Sequence, residues 1–326
     1  MIYRKRSFSR FRILFAGSSD WSIEFLDLLI KKNFKVVGLL TPPDKKRGRG
    51  QKVVTSPIKQ FALDNGLPVF QPEKLGTEEF IQELKKLKPD LVFVASYGKF
   101  FPKKILEIPA FGFLNFHPSM LPEFRGPSPI QSAILSGNKT TGFSFMRLTE
   151  GMDDGPVIFQ KEVRIKPRET SVTLAEKLVF QGKKELIKIL KGYLEENINF
   201  QPKKQKKKGV SLSKMFSKED GRINWRDETA EEIDRKIRAL NPQINTFCFW
   251  ENEPTQNRIL LRKSLGFAKD FNLNYGEYKL LRRKKNIILA IKAKEGVVLI
   301  NKVQIEGKKE CSANDFFHGH PKGKMI

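Results

Sequence analysis

Two cysteines, three histidines and only 36 acidic residues are what this 326-residue chain has little of. Cys248 and Cys311 stand far apart and outside any CxxC spacing. They build neither a disulfide framework nor a zinc site of finger type, and a reducing compartment is the easier reading. No apolar run approaches the roughly 18 residues that a membrane-spanning helix needs, so no membrane partner is expected. The first strand-like run, Arg12–Gly17, ends in Gly17-Ser18-Ser19-Asp20. The glycines of a GxGxxG turn are missing, which argues against a dinucleotide cofactor. The N-terminus, Met1 to Arg12, is Arg-rich and without acids, but it has no apolar core of a secretory signal. A plain basic extension is the preferred reading over a transit peptide.

The shortage of acids leaves 61 Lys plus Arg against 36 Asp plus Glu, a net charge of +25. Both halves of the chain share the excess. Such a surface attracts phosphate chains or anionic membranes at long range. A length of 326 residues suggests two domains, and a chain of this size buries enough surface to need no covalent staples.

Strand and helix patterns alternate through the first 200 residues. Apolar runs at Arg12–Gly17, Lys35–Leu40, Asp90–Ser96 and Gly112–His117 read as strands. Between them, a helix after Asp20 as its cap, one at Ile58–Asn65 and one at Thr77–Leu87 show helical periodicity. Thr41–Pro57 reads as a loop. A helix at Pro129–Leu135, strands at Thr141–Leu148 and Val157–Ile165, and a long helix at Val172–Leu194 complete this part. Alternation of this kind predicts a doubly wound, mostly parallel sheet of Rossmann type over 1–200. Residues 201–213 open with five lysines in nine residues plus Pro and Gly, the composition of a linker or exposed loop. Residues 214–326 hold one helix, Thr229–Ala239, and strand-like runs at Asn245–Trp250, Arg258–Lys263, Asn286–Lys292 and Val297–Ile305. A small OB-like β-barrel is the simplest arrangement, and barrels of this kind often bind nucleic acid.

His318 and His320 lie in a Gly- and Pro-rich tail and read as a solvated end. His117 differs. It ends a strand and follows Asn115 by two residues, so both side chains project to one face at the strand's carboxyl end. In doubly wound sheets ligands bind at that edge. The stiff stretch Ser119–Pro127, with two inner prolines around Arg125-Gly126, follows at once. Glu150–Pro156 is an acidic turn between strands, holding Asp153 and Asp154. Asn, His and Asp suit acyl transfer to an amine: the amine must lose a proton and the carbonyl oxygen must be stabilised. Asn115 and His117 are expected to donate to that oxygen, and Asp to hold His117 in its working state and aid the proton transfer.

Asn115-Phe116-His117-Pro118-Ser119-Met120-Leu121-Pro122 with Arg125-Gly126, then Met152-Asp153-Asp154-Gly155-Pro156, resembles the signature of the folate-dependent formyltransferases. Within that family the chain is most similar to members acting on initiator methionyl-tRNA. The marks are Thr41-Pro42-Pro43-Asp44 before Gly48-Arg49-Gly50, Leu67–Pro72, Ile223-Asn224-Trp225, and Ile237–Pro242. The resemblance covers nearly the whole chain. It departs at Ser18-Ser19, at Met120, where the family has Leu, and over Ala268–Lys285. It implies catalysis by Asn115, His117 and Asp153, Asp153 being chosen over Asp154 because it directly follows the apolar residue and stands two before Gly155-Pro156. It implies 10-formyltetrahydrofolate as co-substrate, contacted by Ser119, Met120, Leu121 and Pro122 with Tyr97 and Gly98, and no metal. It implies initiator methionyl-tRNA as partner, contacted by Lys46, Arg47, Arg49 and Lys52 in one loop and by Lys206 and Lys207. The expected organisation is a catalytic domain at 1–200, a basic linker at 201–213 and a tRNA-binding barrel at 214–326. The expected setting is a cytoplasmic monomer, with the mitochondrial matrix as the lesser alternative.

Overall fold

A computed structural model describes residues 10–47, 52–252, 255–269, 271–283, 286–321 and 324–326. The basic extension 1–9 and Arg49 lie outside these residues, as do the side chains of Lys46, Arg47 and Lys52. The chain folds as two compact units. One runs through Pro127 and takes in Thr141–Val163 and Ala175–Ser213; the other gathers Ser128–Thr140, Arg164–Leu174 and Lys214–Ile326.

In the first unit the continuously apolar runs become strands buried on both faces, as parallel sheets require. The strands are β1 (Arg12–Gly17), β2 (Lys35–Leu40), β3 (Lys45–Arg47), β4 (Lys52–Val54), β5 (Val69–Phe70), β6 (Leu91–Ala95), β7 (Phe113–His117), β8 (Thr140–Arg147) and β9 (Val157–Arg164). Seven of them form one sheet in the order β5-β2-β1-β6-β7-β8-β9. Pairing is parallel from β5 to β7 and turns antiparallel at β8. The helices are α1 (Ile23–Lys31), α2 (Pro57–Asp64), α3 (Glu78–Leu87), α4 (Lys103–Leu106), α5 (Pro129–Leu135) and α6 (Ser171–Leu194), with α5 belonging to the second unit. Phenylalanines fill the space against the sheet: Phe116 meets Phe25, Phe143 and Phe145 at ring separations of 4.7, 5.6 and 5.4 Å.

The departures from sequence expectation are local. Asp20 does not cap α1; it opens a single 3-10 turn, Asp20–Ser22, because Ser22 closes back onto the Ser19 carbonyl. The expected loop Thr41–Pro57 contains the β3–β4 hairpin, paired from Lys45/Val54 to Arg47/Lys52, and its last residue starts α2 behind the Ser56 cap. Residues 201–213 do not hang free. Lys203 exchanges two backbone hydrogen bonds with Val157 at 2.8 Å, and Ser211 and Ser213 bond to the backbone around Arg125. Lysine composition describes the solvent face of this segment, whereas backbone groups hold its other face.

In the second unit, α7 (Ala230–Leu240) starts with a full capping box, Thr229 and Glu232 each satisfying the other's backbone N–H. The strands are β10 (Phe247–Asn252), β11 (Thr255–Ala268), β12 (Tyr278–Arg283), β13 (Asn286–Lys292), β14 (Val297–Ile305), β15 (Cys311–Ser312) and β16 (Lys324–Met325). They run antiparallel in the order β12-β13-β14-β11-β10-β16, with β15 beside β14. Register shifts bend β11 against β14 between Leu261 and Gly266. That curl brings the sheet ends together: Met325 N donates to Gly276 O at 3.0 Å, and Trp250 Nε1 donates to Tyr278 Oη at 2.9 Å. The tail is only partly a solvated end, with His318 exposed. It forms α8 (Ala313–Gly319), with Phe316 buried and the His320 ring stacked on it at 4.8 Å. Among the described residues no helix is long and apolar enough to cross a membrane.

One carboxylate organises this unit. Asp234 of α7, 2% exposed, accepts from Arg168 at 2.6 Å, Arg238 at 2.9 Å and Ser264 at 2.6 Å. Burial pushes its carboxyl up, and the hydrogen bonds from Arg168, Ser264 and Arg238 outweigh this and hold it below 3.8. Asp234→Asn should lower unfolding free energy by about 3 kcal/mol, near the low end for a broken buried pair because Arg168 can rehydrate. A lowered folded value means the stabilisation is complete above 3.8 and lost as pH falls through the folded value. Urea melts of both proteins should therefore differ most at neutral pH and converge in acid.

Candidate active site

Strand β7 places the expected pair. Asn115 and His117 point to one face at its carboxyl end, 8% and 4% exposed. The neighbouring strand β6 sets this depth, with Val94 opposite Asn115. The Asn115 amide has no protein hydrogen-bond partner among the described residues and is free to receive a ligand.

Both ring nitrogens of His117 face acceptors. Nε2 lies 3.1 Å from the Phe124 carbonyl, which can only accept, so Nε2 carries a proton. Nδ1 lies 3.5 Å from Asp153 Oδ2. Burial pushes the His117 imidazole below 6.5, against the upward pull of the Asp153 charge and the Phe124 hydrogen bond. Nδ1 thus faces a carboxylate with which it can share a proton, and burial and the Asp153 charge act on that proton in opposite directions. His117, expected to donate to a carbonyl oxygen beside Asn115, has Nε2 turned to the Phe124 carbonyl and Nδ1 to Asp153.

Asp153 occupies a left-handed conformation, φ 46°, which an Asp tolerates better than most residues. Its Oδ2 also accepts the Gly126 N–H at 2.8 Å. Asp154 turns the other way and accepts from Thr149 at 2.5 Å. The loop after β7 must come close for this to happen. Gly126 has φ 112°, and a Cβ there would lie 2.8 Å from Ser213 O.

Residues 119–122 lie against β8. Ser144, fully buried, donates to Ser119 O at 2.7 Å and accepts from Leu121 N at 3.1 Å. Gln160 of β9 donates to Leu121 O at 2.7 Å and Ser144 Oγ at 2.9 Å. Ser119 and Leu121 are buried, while Met120 and Pro122 are partly exposed. Met120 lies over Gly142, where a Cβ would be 2.4 Å from its sulfur. Tyr97 is buried with its hydroxyl unpartnered, and burial pushes that hydroxyl up to about 12. Gly98 beside it is exposed. Lys206 and Lys207 are exposed on the segment held to this unit. Sequence reasoning passed over Ser144, Gln160, Gln205 and Ser211, polar residues whose roles are set by contacts distant in the chain. Among the described residues no cluster of His, Cys, Asp and Glu could hold a metal ion.

A parallel sheet with Asn, His and Asp converging at one strand's carboxyl edge, followed by an antiparallel barrel, defines a class. The family model described as "Formyl transferase" matches residues 9–190 and "Formyl transferase, C-terminal domain" matches 215–321, so the chain belongs to the formyl transferases. Its place among them follows from relatives named methionyl-tRNA formyltransferase. One, from Prochlorococcus marinus (strain MIT 9215), is 38% identical over 91% of this chain and 93% of its own. Another, from Marinobacter nauticus, is 35% identical over 97% of each chain. The fold also matches a crystal structure of HypX from Aquifex aeolicus in complex with tetrahydrofolic acid. That match has a TM-score of 0.62 at 15% identity and covers 94% of this chain, which spans 46% of that protein.

An NMR titration of the three histidines should place His117 below 6.5. Asp153→Asn should move it lower still, because the charge that favours the imidazolium is gone. An upward move would contradict the geometry.

Proposed function

We infer that this chain transfers a formyl group from 10-formyltetrahydrofolate to the α-amine of methionine on initiator methionyl-tRNA, for translation initiation. The observation that carries the mechanism is the uncommitted Asn115 amide beside a buried His117 whose Nδ1 faces Asp153 at 3.5 Å. Asn115 donates to the formyl oxygen as it gains charge. The amine nitrogen forms a bond to the formyl carbon, and the bond from that carbon to the folate nitrogen breaks. The amine's proton passes to the His117–Asp153 pair and from there to the departing folate nitrogen, which leaves as a neutral amine. His117 thus serves the proton, and Asn115 alone serves the oxygen. The folate lies along the 119–122 loop, touching Met120, Pro122 and backbone, since Ser119 and Leu121 point inward. Tyr97 and Gly98 border it: an unpartnered buried hydroxyl and an open backbone suit a polar heterocycle. The HypX neighbour of like fold, crystallised with tetrahydrofolic acid, supports this reading.

Residues 1–200 act as the catalytic domain, 201–213 as the basic segment that receives RNA, and 214–326 as the tRNA-binding barrel. Lys206 and Lys207 contact the acceptor arm together with Lys46, Arg47, Arg49 and Lys52. The second unit adds a cavity of about 590 Å³ lined by Arg168, Arg238, Arg262, Lys263 and Lys302. Asp234 and Glu310 partner four of these cations, and Lys263 remains for a phosphate. The protein works as a cytoplasmic monomer; import into the mitochondrial matrix would show as processing of the N-terminus.

Asn115→Ala and Asp153→Ala should each lower kcat about 100-fold or more with charged initiator tRNA, the scale of losing one oxyanion donor or a general base. Near-normal turnover in both would sink the residue roles. Initiator methionyl-tRNA should be formylated far better than the elongator form. A protein that neutralises about four phosphates loses roughly 100-fold in affinity between 50 and 200 mM salt. A flat response would separate the +25 charge from RNA binding.

A further inference from the structure

Gln205 stands between Lys204 and Lys206, in the lysine-rich segment whose composition reads as a spacer. Its carboxamide uses every hydrogen-bonding position it has. Oε1 accepts from Arg125 Nε at 3.1 Å and Arg125 Nη2 at 2.8 Å. Nε2 donates to the Asp153 carbonyl at 2.7 Å and the Gly155 carbonyl at 2.8 Å. One side chain therefore joins two segments that each supply half of the site. The loop with Arg125 brings the Phe124 carbonyl to His117 and the Gly126 N–H to Asp153. The turn at Asp153–Gly155 brings the carboxylate.

The turn needs such a partner. Asp153 sits at φ 46°, a region few non-glycine residues occupy, and among the described residues Gly126 N alone makes a close hydrogen bond to its carboxylate. A neutral turn residue could relax without consequence, but here relaxation would carry Oδ2 away from Nδ1. The lysine segment itself does not need Gln205 in order to stay in place. Lys203 is paired with Val157 on one side, and Ser211 and Ser213 are bonded to Phe124 and Arg125 on the other. The carboxamide's four bonds go to the site and not to the segment's own anchorage.

We propose that Gln205 is a positioning residue of formyl transfer: it clamps the Asp153–Gly155 turn to Arg125 and so sets the reach of the Asp153 carboxylate to His117. This rests on the reading of His117 and Asp153 as the proton-handling pair. It also gives the basic segment a second task. The stretch that presents Lys203, Lys204 and Lys206–Lys208 to an RNA backbone is hard-wired through Gln205 to the catalytic turn.

The test uses the full chain with Gln205→Glu, Gln205→Met and, in parallel, Asp153→Asn. Gln205→Glu keeps the acceptor for Arg125 but loses both donors and sets a carboxylate against two carbonyls. Both Gln205 variants should lose kcat about 10- to 100-fold, the scale of a displaced catalytic group, while KM for tRNA and folate binding change by less than about twofold. The acid limb of the kcat–pH profile should move to lower pH, because a retreating carboxylate raises the imidazole's pKa less. A merely structural role would lower thermal stability and leave that limb where it was. Wild-type kcat in Gln205→Glu, or a loss with an unmoved acid limb, overturns the proposal. Should Asp153→Asn be inactive while Gln205→Glu is normal, the clamp fails and the catalytic reading stands. Should Asp153→Asn turn over normally, both fall.

Discussion

A buried imidazole set beside a carboxylate is the constraint on which the rest of the first unit depends. His117 is 4% exposed, and such a ring resists protonation unless an anion stands close. The anion comes from a turn far along the chain, at Asp153, which must hold an uncommon left-handed backbone to reach it. Each neighbouring feature serves that approach. Gly126 lets the loop come near enough to donate to Oδ2, and the Phe124 carbonyl gives Nε2 an acceptor. Ser144 and Gln160 hold the intervening loop onto β8 and β9.

The second unit contains a carboxylate with the opposite fate. Asp234 is surrounded by Arg168, Arg238 and Ser264 and is driven to stay ionised. Among the described residues Asp153 has one close donor, the Gly126 N–H, and the buried His117 imidazole at 3.5 Å. A carboxylate held by two guanidinium groups and a hydroxyl is strongly stabilised as the anion and acts as structure. One met by a single amide keeps capacity for chemistry. The same side chain type thus meets two environments, separated by how many donors the fold delivers.

How much of this could be read in advance follows from how far apart the interacting residues lie. β1, β2, β6 and β7 were legible because parallel strands buried on both faces are short apolar runs. Asn115 and His117 were legible as a pair because two-residue spacing in a strand guarantees a common face. Asp153 was separable from Asp154 only through resemblance, since both sit in one acidic turn. The structure places Asp153 toward His117 and Asp154 toward Thr149. β12 was passed over because Tyr278–Arg283 carries three basic residues against two leucines, and its partner β13 supplies the pairing. The tail with His320 read as solvated because Gly and Pro dominate its composition, yet Phe316 finds a pocket among Trp250 and Tyr278.

Amino-acid order alone determined the alternation of elements, the strand edge at which Asn115 and His117 emerge, and the charge that suits an RNA partner. Each rests on interactions between near neighbours or on a sum over the whole chain, so no fold was needed to see them. Tertiary structure decided the rest. It turned Nε2 of His117 to the Phe124 carbonyl and Nδ1 to Asp153, and it left the Asn115 amide without a partner among the described residues. It also turned a lysine-rich spacer into a brace through Gln205. A hydrogen bond depends on tenths of an ångström between groups tens of residues apart, and only the packed chain sets that distance.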